Sequence, residues 1–395
     1  MSAHESLTVA GLFAGIGGIE LGLHQSGHRT SLLCEIEPGA NRVLASHFPG
    51  IELHRDVREL ESVFSVDLLT AGFPCQDLSQ AGRTAGIGGR NSGLVGEVFR
   101  LLDSTRRKPR WLMLENVPFM LQLDRGQGMR YLVDELEARK FRWAYRVVDT
   151  QAFGLPQRRQ RVILVASRTE DPRTVLLADD AEPVHQEFRT GLWCGFYWTE
   201  GLRGLGWAVD GVPTLKGGST IGIPSPPAIW NSRDGSITTP DIRDAERLQG
   251  FPPDWTVPAL AVDGVRKGHR WKLVGNAVSV PVAKWVGQRL AAPGEFDESR
   301  AGDAVRSGVA WPRAAFGQKG KPPVAVQCSM WPVRWVRPHL SEFIRFEPRL
   351  LSERASAGFL KRAMESSLRF EPTFIAAVEA HIDRMSAPLR SRIPA

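Results

Sequence analysis

Over the first 170 residues, short apolar runs alternate with longer stretches whose apolar residues recur at helical spacing. The runs stand at 7–13, 31–33, 66–70, 111–114, 144–148 and 162–166, and helical spacing is clearest at 93–104 and 129–140. Strands alternating with helices of that length predict βαβ units around a mainly parallel sheet. Ligands of such sheets bind beyond the carboxyl ends of the strands, so chemistry is expected directly after each apolar run. The pattern changes near Ser167. Residues 168–240 are rich in Gly, Pro, Trp and Thr and carry no long amphipathic stretch, which predicts short strands and ordered loops in a small second domain. A helix is expected at 241–249, and another at 279–290 that returns to the first domain. Residues 291–303 read as a linker, and helices are expected near 352–367 and 371–385. The expected divisions are a first domain at 1–167, a small domain at 168–270, a return helix at 271–292 and a basic C-terminal extension at 293–395.

Composition narrows the class. Of 395 residues, 42% are hydrophobic and 24% charged, values of a globular chain rather than a disordered one. No apolar run approaches the roughly 18 residues of a membrane span, and the first residues lack the basic and apolar regions of a secretory signal. Cys34, Cys75, Cys194 and Cys328 lie far apart with no C-x-x-C pair. That argues against a disulfide scaffold or a zinc ribbon, so no metal is expected, and it suits a reducing cytoplasm. The net charge of +7 suits a polyanionic partner, although solvated basic faces are common.

Candidate chemistry follows the strands. After the first run, Phe13-Ala14-Gly15-Ile16-Gly17-Gly18 opens into a helix-like segment. Its glycines permit a tight turn and close approach of a ligand, and equally a plain strand–helix connection; neither the dinucleotide fingerprint nor a P-loop is matched. Glu35, about 20 residues beyond the glycines, stands where an acid binds ribose hydroxyls. Asp56 is available to an adenine amino group. Gly72-Phe73-Pro74-Cys75-Gln76-Asp77-Leu78-Ser79 then precedes a Gly-rich segment carrying Arg83 and Arg90. A strand-end thiol beside cations and backbone N–H groups is partly ionised, and the thiolate is the nucleophile; isolated cysteines are more often inert core residues. Glu115 ends the next run, where apolar surroundings are expected to keep a proton on it for donation near neutrality, unless it is a structural acid. In Gln157-Arg158-Arg159-Gln160-Arg161, alternation puts Gln157, Arg159 and Arg161 on one face of an extended segment. Two arginines there suit a phosphate or a carbonyl oxygen, or a solvated basic edge.

FAGIGG, CEIEP, GFPCQDLS, ENV, QRRQR, ERLQGFP and GNAVSVPVA, in this order over residues 7–291, resemble the motifs of DNA (cytosine-5)-methyltransferases of the bacterial restriction–modification type. The resemblance implies an α/β fold: an S-adenosylmethionine-dependent, Rossmann-like methyltransferase domain with a mixed, mostly parallel sheet, a small irregular target-recognition domain and a C-terminal extension. It implies S-adenosyl-L-methionine as cofactor, bound by Phe13, Ala14, Gly15, Gly17, Gly18, Glu35, Ile36, Asp56, Val57, Pro74, Leu94, Asn276 and Ala277. Cys75 is implied as the nucleophile, with Glu115, Arg159 and Arg161 holding the base. Gln76, Ser79, Arg83, Arg90, Asn116 and Gln157 are implied as DNA contacts. A cytosine inside a duplex cannot reach such a site and has to be flipped out. The implied partners are double-stranded DNA and a cognate restriction endonuclease or other defence proteins, with the enzyme itself a monomer and no membrane involved.

Two positions depart from the family. Gly11 stands where an acid is common, and Ile36 where an aromatic is common; both bear on donor binding. Segment 168–240 carries six basic against nine acidic residues, a poor source of phosphate attraction. Segment 81–161 carries sixteen basic against eight acidic residues, so backbone contacts are expected from the large domain. An RNA cytosine methyltransferase, an inactive DNA-binding regulator and a nicotinamide oxidoreductase are the rival readings. The intact Pro74-Cys75-Gln76 and a separate variable region disfavour the first. Retention of Cys75, Glu115 and Arg161 together disfavours the second, and the glycine spacing the third.

Overall fold

The computed structural model of the protein describes residues 5–63, 65–73, 93–202, 204–218 and 224–387. The chain forms two compact units. The first comprises Met1–Phe153, Gln160–Pro183 and Ala277–Trp335; the second comprises Gly154–Arg159, Val184–Asn276 and Val336–Ala395.

In the first unit, the apolar runs become β1 (Thr8–Leu12), β2 (Arg29–Cys34), β3 (Glu52–His54), β4 (Leu68–Ala71), β5 (Trp111–Asn116) and β6 (Arg142–Asp149). Next in sequence comes β7 (Gln157–Arg158), which belongs to the second unit, and then β8 (Gln160–Ser167), which returns to the first. The first five strands pair in parallel in the order β5-β4-β1-β2-β3. β4 is buried along its whole length, which is why it reads as a continuous apolar run rather than an alternating one. β8 inserts antiparallel between β5 and β6. Three short strands extend the sheet beyond β6 in the order Ala314–Gly317, Val324–Val326, Ala301–Ala304, each antiparallel to its neighbour. Seven of the ten strands thus share one direction, and the sheet is mixed and mostly parallel as expected.

The expected helices form at Leu94–Ser104, Gln127–Ala138 and Val280–Ala291, the last packing on the helix Gly18–His24 that follows β1. Helix Pro38–His47 went unforeseen; it starts on a Glu37 cap with Pro38 at its first position. Segment 291–303 is not a linker. Phe296 packs between the Arg173 and Arg300 guanidinium groups and the Phe316 ring, Arg173 pairs with Glu298, and Ala301–Ala304 is an edge strand.

The second unit is built on a five-stranded antiparallel sheet in the order Trp207–Val209, Trp193–Phe196, Ala228–Asn231, Ile237–Thr239, Arg349–Leu350. Its last strand comes from the C-terminal stretch, and helices Glu353–Glu365 and Pro372–Ser386 close its core. Phe359 and Phe374 meet Phe196 with ring centroids 4.6 and 5.0 Å apart, and Phe374 also touches Trp207 and Trp230. Of the segment 293–395 read as an extension, the part from Val336 onward belongs to this second unit, whereas the part up to Trp335 belongs to the first. Among the described residues, no helix is long and apolar enough to cross a membrane.

Candidate active site

At the carboxyl end of β1 the backbone turns sharply, with positive φ at Phe13 (54°), Gly15 (56°) and Gly17 (83°). A bulky residue in the left-handed region is strained, and such strain persists where surrounding contacts impose it. The turn is tied to the end of β2: Ala14 N donates to Cys34 O at 3.1 Å, and Gly15 N to Glu35 Oε2 at 2.8 Å. Glu35 Oε1 accepts from Glu37 N at 2.8 Å. Burial raises the Glu35 pKa, with the Glu37 and Gly15 N–H bonds opposing it. Gly15 faces open space where its Cβ would be, whereas a Cβ at Gly17 would lie 2.4 Å from the Phe48 ring. Gly18 begins the helix. Ile36 is 63% exposed, an apolar side chain left uncovered at a strand end. Asp56 accepts from Arg58 N and pairs with its guanidinium at 2.6 Å, which lowers the Asp56 pKa. Val57 is buried behind it, and Leu94 packs partly buried against the same core.

The second cluster forms where β4 and β5 end side by side. Glu115 is buried and its Oε1 receives Arg161 Nε at 2.9 Å. The antiparallel pairing of β5 with β8, which sets Glu115 opposite Ile163 and Asn116 opposite Val162, brings the two side chains together. The Arg161 guanidinium thereby fixes the orientation of the Glu115 carboxyl group. A Cβ on Gly72, at the end of β4, would lie 3.4 Å from Glu115 Oε2. Asn116 Nδ2 donates to Phe73 O at 3.0 Å, clamping the segment that leads into Pro74 and Cys75 next to the Glu115 carboxylate. Pro74, Cys75, Gln76, Ser79, Arg83 and Arg90 themselves lie outside the described residues.

Three expectations change. Asn116 is buried, and its amide serves Phe73 O and Val117 N, so it acts as a clamp rather than a DNA contact. Gln157 has no exposed surface; it donates to Leu248 O at 2.7 Å and accepts from Leu215 N at 2.9 Å. Finally, 157–161 is not one extended segment: β7 pairs with Val212–Pro213 in the second unit, β8 lies in the large sheet, and Arg159 sits at the break. Arg159 is buried with its guanidinium on the carbonyls of Leu215 (2.9 Å) and Gly275 (3.1 Å), all within the second unit. Asn276 ends helix His269–Asn276 of that unit, and Ala277 begins the next piece of the first.

The residue that motif reading missed is Glu20, buried in helix Gly18–His24. Its signal lay in the helical spacing. Ile16, Ile19 and Leu23 mark the buried face, and an acid one position from Ile19 falls on that same face.

Comparison with known proteins agrees with this geometry. A family model described as C-5 cytosine-specific DNA methylase matches residues 7–190. The chain is similar to Type II methyltransferase M2.BsuMI of Bacillus subtilis (strain 168), 46% identical over 96% of this chain and 99% of that one. It is also similar to Type II methyltransferase M.BsuFI of Bacillus subtilis, 34% identical over 71% of each chain. Among solved structures, the S. pombe Dnmt2 methyltransferase shares the fold, with a TM-score of 0.52 at 15% identity over 72% of this chain and 97% of that one. The protein belongs to the C-5 cytosine-specific DNA methylase family and is a DNA (cytosine-5)-methyltransferase.

Proposed function

We propose that the protein methylates carbon 5 of a flipped-out cytosine within a specific DNA sequence, through a covalent adduct with Cys75, as the modification enzyme of a Type II restriction–modification or related defence system. The observation that carries this reading is the Glu115–Arg161 pair beside Gly72, at the strand end from which the chain runs into Cys75. The three described cysteines are poor alternatives to Cys75. Burial pushes the Cys34 and Cys194 thiols up to about 12 and raises that of Cys328.

The residues around the glycine turn fit S-adenosyl-L-methionine. Gly15 leaves open space for close approach, Glu35 suits ribose hydroxyls, Ile36 is uncovered for an apolar contact with the adenine, and the buried acid Glu20 lacks a partner among the described residues. When bound, that group supplies an electrophilic methyl on a sulfonium. Cys75, as thiolate, adds to carbon 6 of the cytosine and moves an electron pair toward carbon 5. Glu115, oriented by Arg161, shares a proton with ring nitrogen 3 and accepts a hydrogen bond from the amino group as charge spreads into the ring. After carbon 5 has taken the methyl, its proton is lost to a base and the electron pair left behind expels the Cys75 sulfur. The described bonds of Arg159 go to the main-chain carbonyls of Leu215 and Gly275.

The test is methyl incorporation into cytosine-containing duplex DNA. Wild type is expected to incorporate label and Cys75→Ala to incorporate none. A duplex with 5-fluorocytosine should trap a covalent adduct, because fluorine at carbon 5 cannot leave as a proton does. Incorporation that survives Cys75→Ala, or active enzyme that forms no adduct, overturns the mechanism.

A further inference from the structure

Glu20 is 1% exposed, and neither of its carboxylate oxygens has a hydrogen-bond partner among the described residues. A carboxylate sealed from water without a partner is costly, so it holds a proton or awaits a ligand. Its surroundings are shaped for it. A Cβ on Gly11 would lie 2.2 Å from Glu20 Oε1, so a side chain at position 11 would displace the carboxylate. Gly11 is in β1, and Thr70, whose hydroxyl lies near Glu20 but donates to Ala10 O at 3.5 Å, is in the adjoining strand β4. The carboxylate thus sits between β1 and β4, at the strand ends from which the glycine turn and the Gly72–Phe73 segment depart. The charged group acting on it is Glu35, a second acid. Two buried acids at one end of a sheet call for a cation.

The methyl donor carries two cationic groups, an α-ammonium and a sulfonium. The sulfonium bears the methyl and has to face the cytosine, whereas Glu20 is enclosed behind the strand ends. We propose that Glu20 receives the donor's α-ammonium group, its carboxylate occupying the space that Gly11 leaves on β1. The proposal rests on the donor reading above and extends it to a residue outside the recognised motifs. It has a consequence besides affinity. Burial pushes the Glu20 pKa up to about 7, so part of it is protonated in the free protein near neutrality. An arriving ammonium favours the carboxylate, and the proton is released.

Calorimetry on the full chain with S-adenosylhomocysteine, which keeps the ammonium and lacks the sulfonium, tests this at pH 6.5 in buffers of differing ionisation enthalpy. Wild type is expected to release roughly half a proton or more per ligand bound. Glu20→Gln should abolish that release and weaken binding about tenfold or more. Placing Gly11→Asp on a Glu20→Ala background should recover part of the affinity by returning a carboxylate to the same space. Binding by wild type without proton release, with Glu20→Gln equal to wild type, overturns the proposal and leaves Glu20 a protonated core acid. Effects seen with S-adenosylmethionine but not with S-adenosylhomocysteine overturn the ammonium assignment. Failure of wild type to bind either compound overturns the donor reading itself. Should Glu20→Gln not fold, proton release by wild type still decides the question.

Discussion

At the scale of single residues, Glu20 also has to be accounted for when the donor is absent. Its folded-state pKa of about 7 lies above the value of a free glutamate, about 4.3. Below the lower value both folded and unfolded chains carry the proton, and the group costs nothing. Between the two values the unfolded chain ionises while the folded one keeps its proton, so stability falls as pH rises, and above about 7 the loss is complete. The gap corresponds to a loss of up to about 4 kcal/mol. Glu20→Gln should therefore match wild type near pH 4 and exceed it by up to that amount at pH 8, measured by urea unfolding without ligand. A difference that does not grow with pH would count against a buried, titrating Glu20. Glu115 has the cationic neighbour that Glu20 lacks, Arg161 at 2.9 Å. Both acids are visible in the sequence, but which of them has a counterion depends on the antiparallel pairing of β5 with β8 and was not legible there.

At the scale of elements, the glycine turn is a connection whose shape is over-determined. Gly17 combines a φ of 83° with a site where a Cβ would meet the Phe48 ring at 2.4 Å. Gly17→Ala faces both penalties, left-handed strain on the order of 1 kcal/mol and a clash that must push Phe48 aside. It is expected to weaken S-adenosylhomocysteine binding more than tenfold, with a lowered thermal midpoint; unchanged binding would mean that the turn is only a connection. Periodicity found the strands and helices around this turn well, because buried parallel strands and amphipathic helices announce themselves. It failed at 157–161, where alternation assumes one continuous strand. The chain there leaves one sheet at Arg158 and enters another at Gln160, and five polar residues carry no sign of the break. It failed again at Ala301–Ala304, where Ala-Gly-Asp-Ala has little strand preference and is held by pairing with Val324–Val326.

At the scale of the whole molecule, the charge is distributed otherwise than linear segments suggest. Residues 168–240 are acidic, but 168–183 belong to the first unit, where Asp171, Asp179 and Asp180 pair with Arg173, Arg289 and Arg146. The second unit, assembled from its three pieces, holds 22 Lys or Arg against 16 Asp or Glu, so it carries six of the seven net charges. Conversely, part of the basic surplus of 81–161 is met by acids outside that segment: Arg146 pairs with Asp180, and Arg110 with Glu5 and Glu170. In the C-terminal stretch, Arg337 is held by Asp210, while Arg334, Arg345 and Arg349 remain exposed. The C-terminal helices are thus part of the second unit's core as well as of its charge. Phe374→Ala should destabilise that unit by about 3–5 kcal/mol, read as a lower midpoint in thermal unfolding. An unchanged midpoint would make those helices dispensable.

Sequence alone determined the βαβ order, the strand ends where chemistry gathers, and the family, because these rest on local periodicity and on short contiguous motifs. Tertiary structure alone decided which polar residues are spent and which remain available. Gln157 and Asn116 look like exposed polar residues in the chain, and their amides are hydrogen-bonded inside it. Glu20 looks like an ordinary helix acid and proves to be buried against a glycine nine residues earlier in the chain. It also decided that residues 336–387 complete the small domain. Burial, ion pairing and sheet closure depend on contacts between distant segments, and no local pattern encodes those.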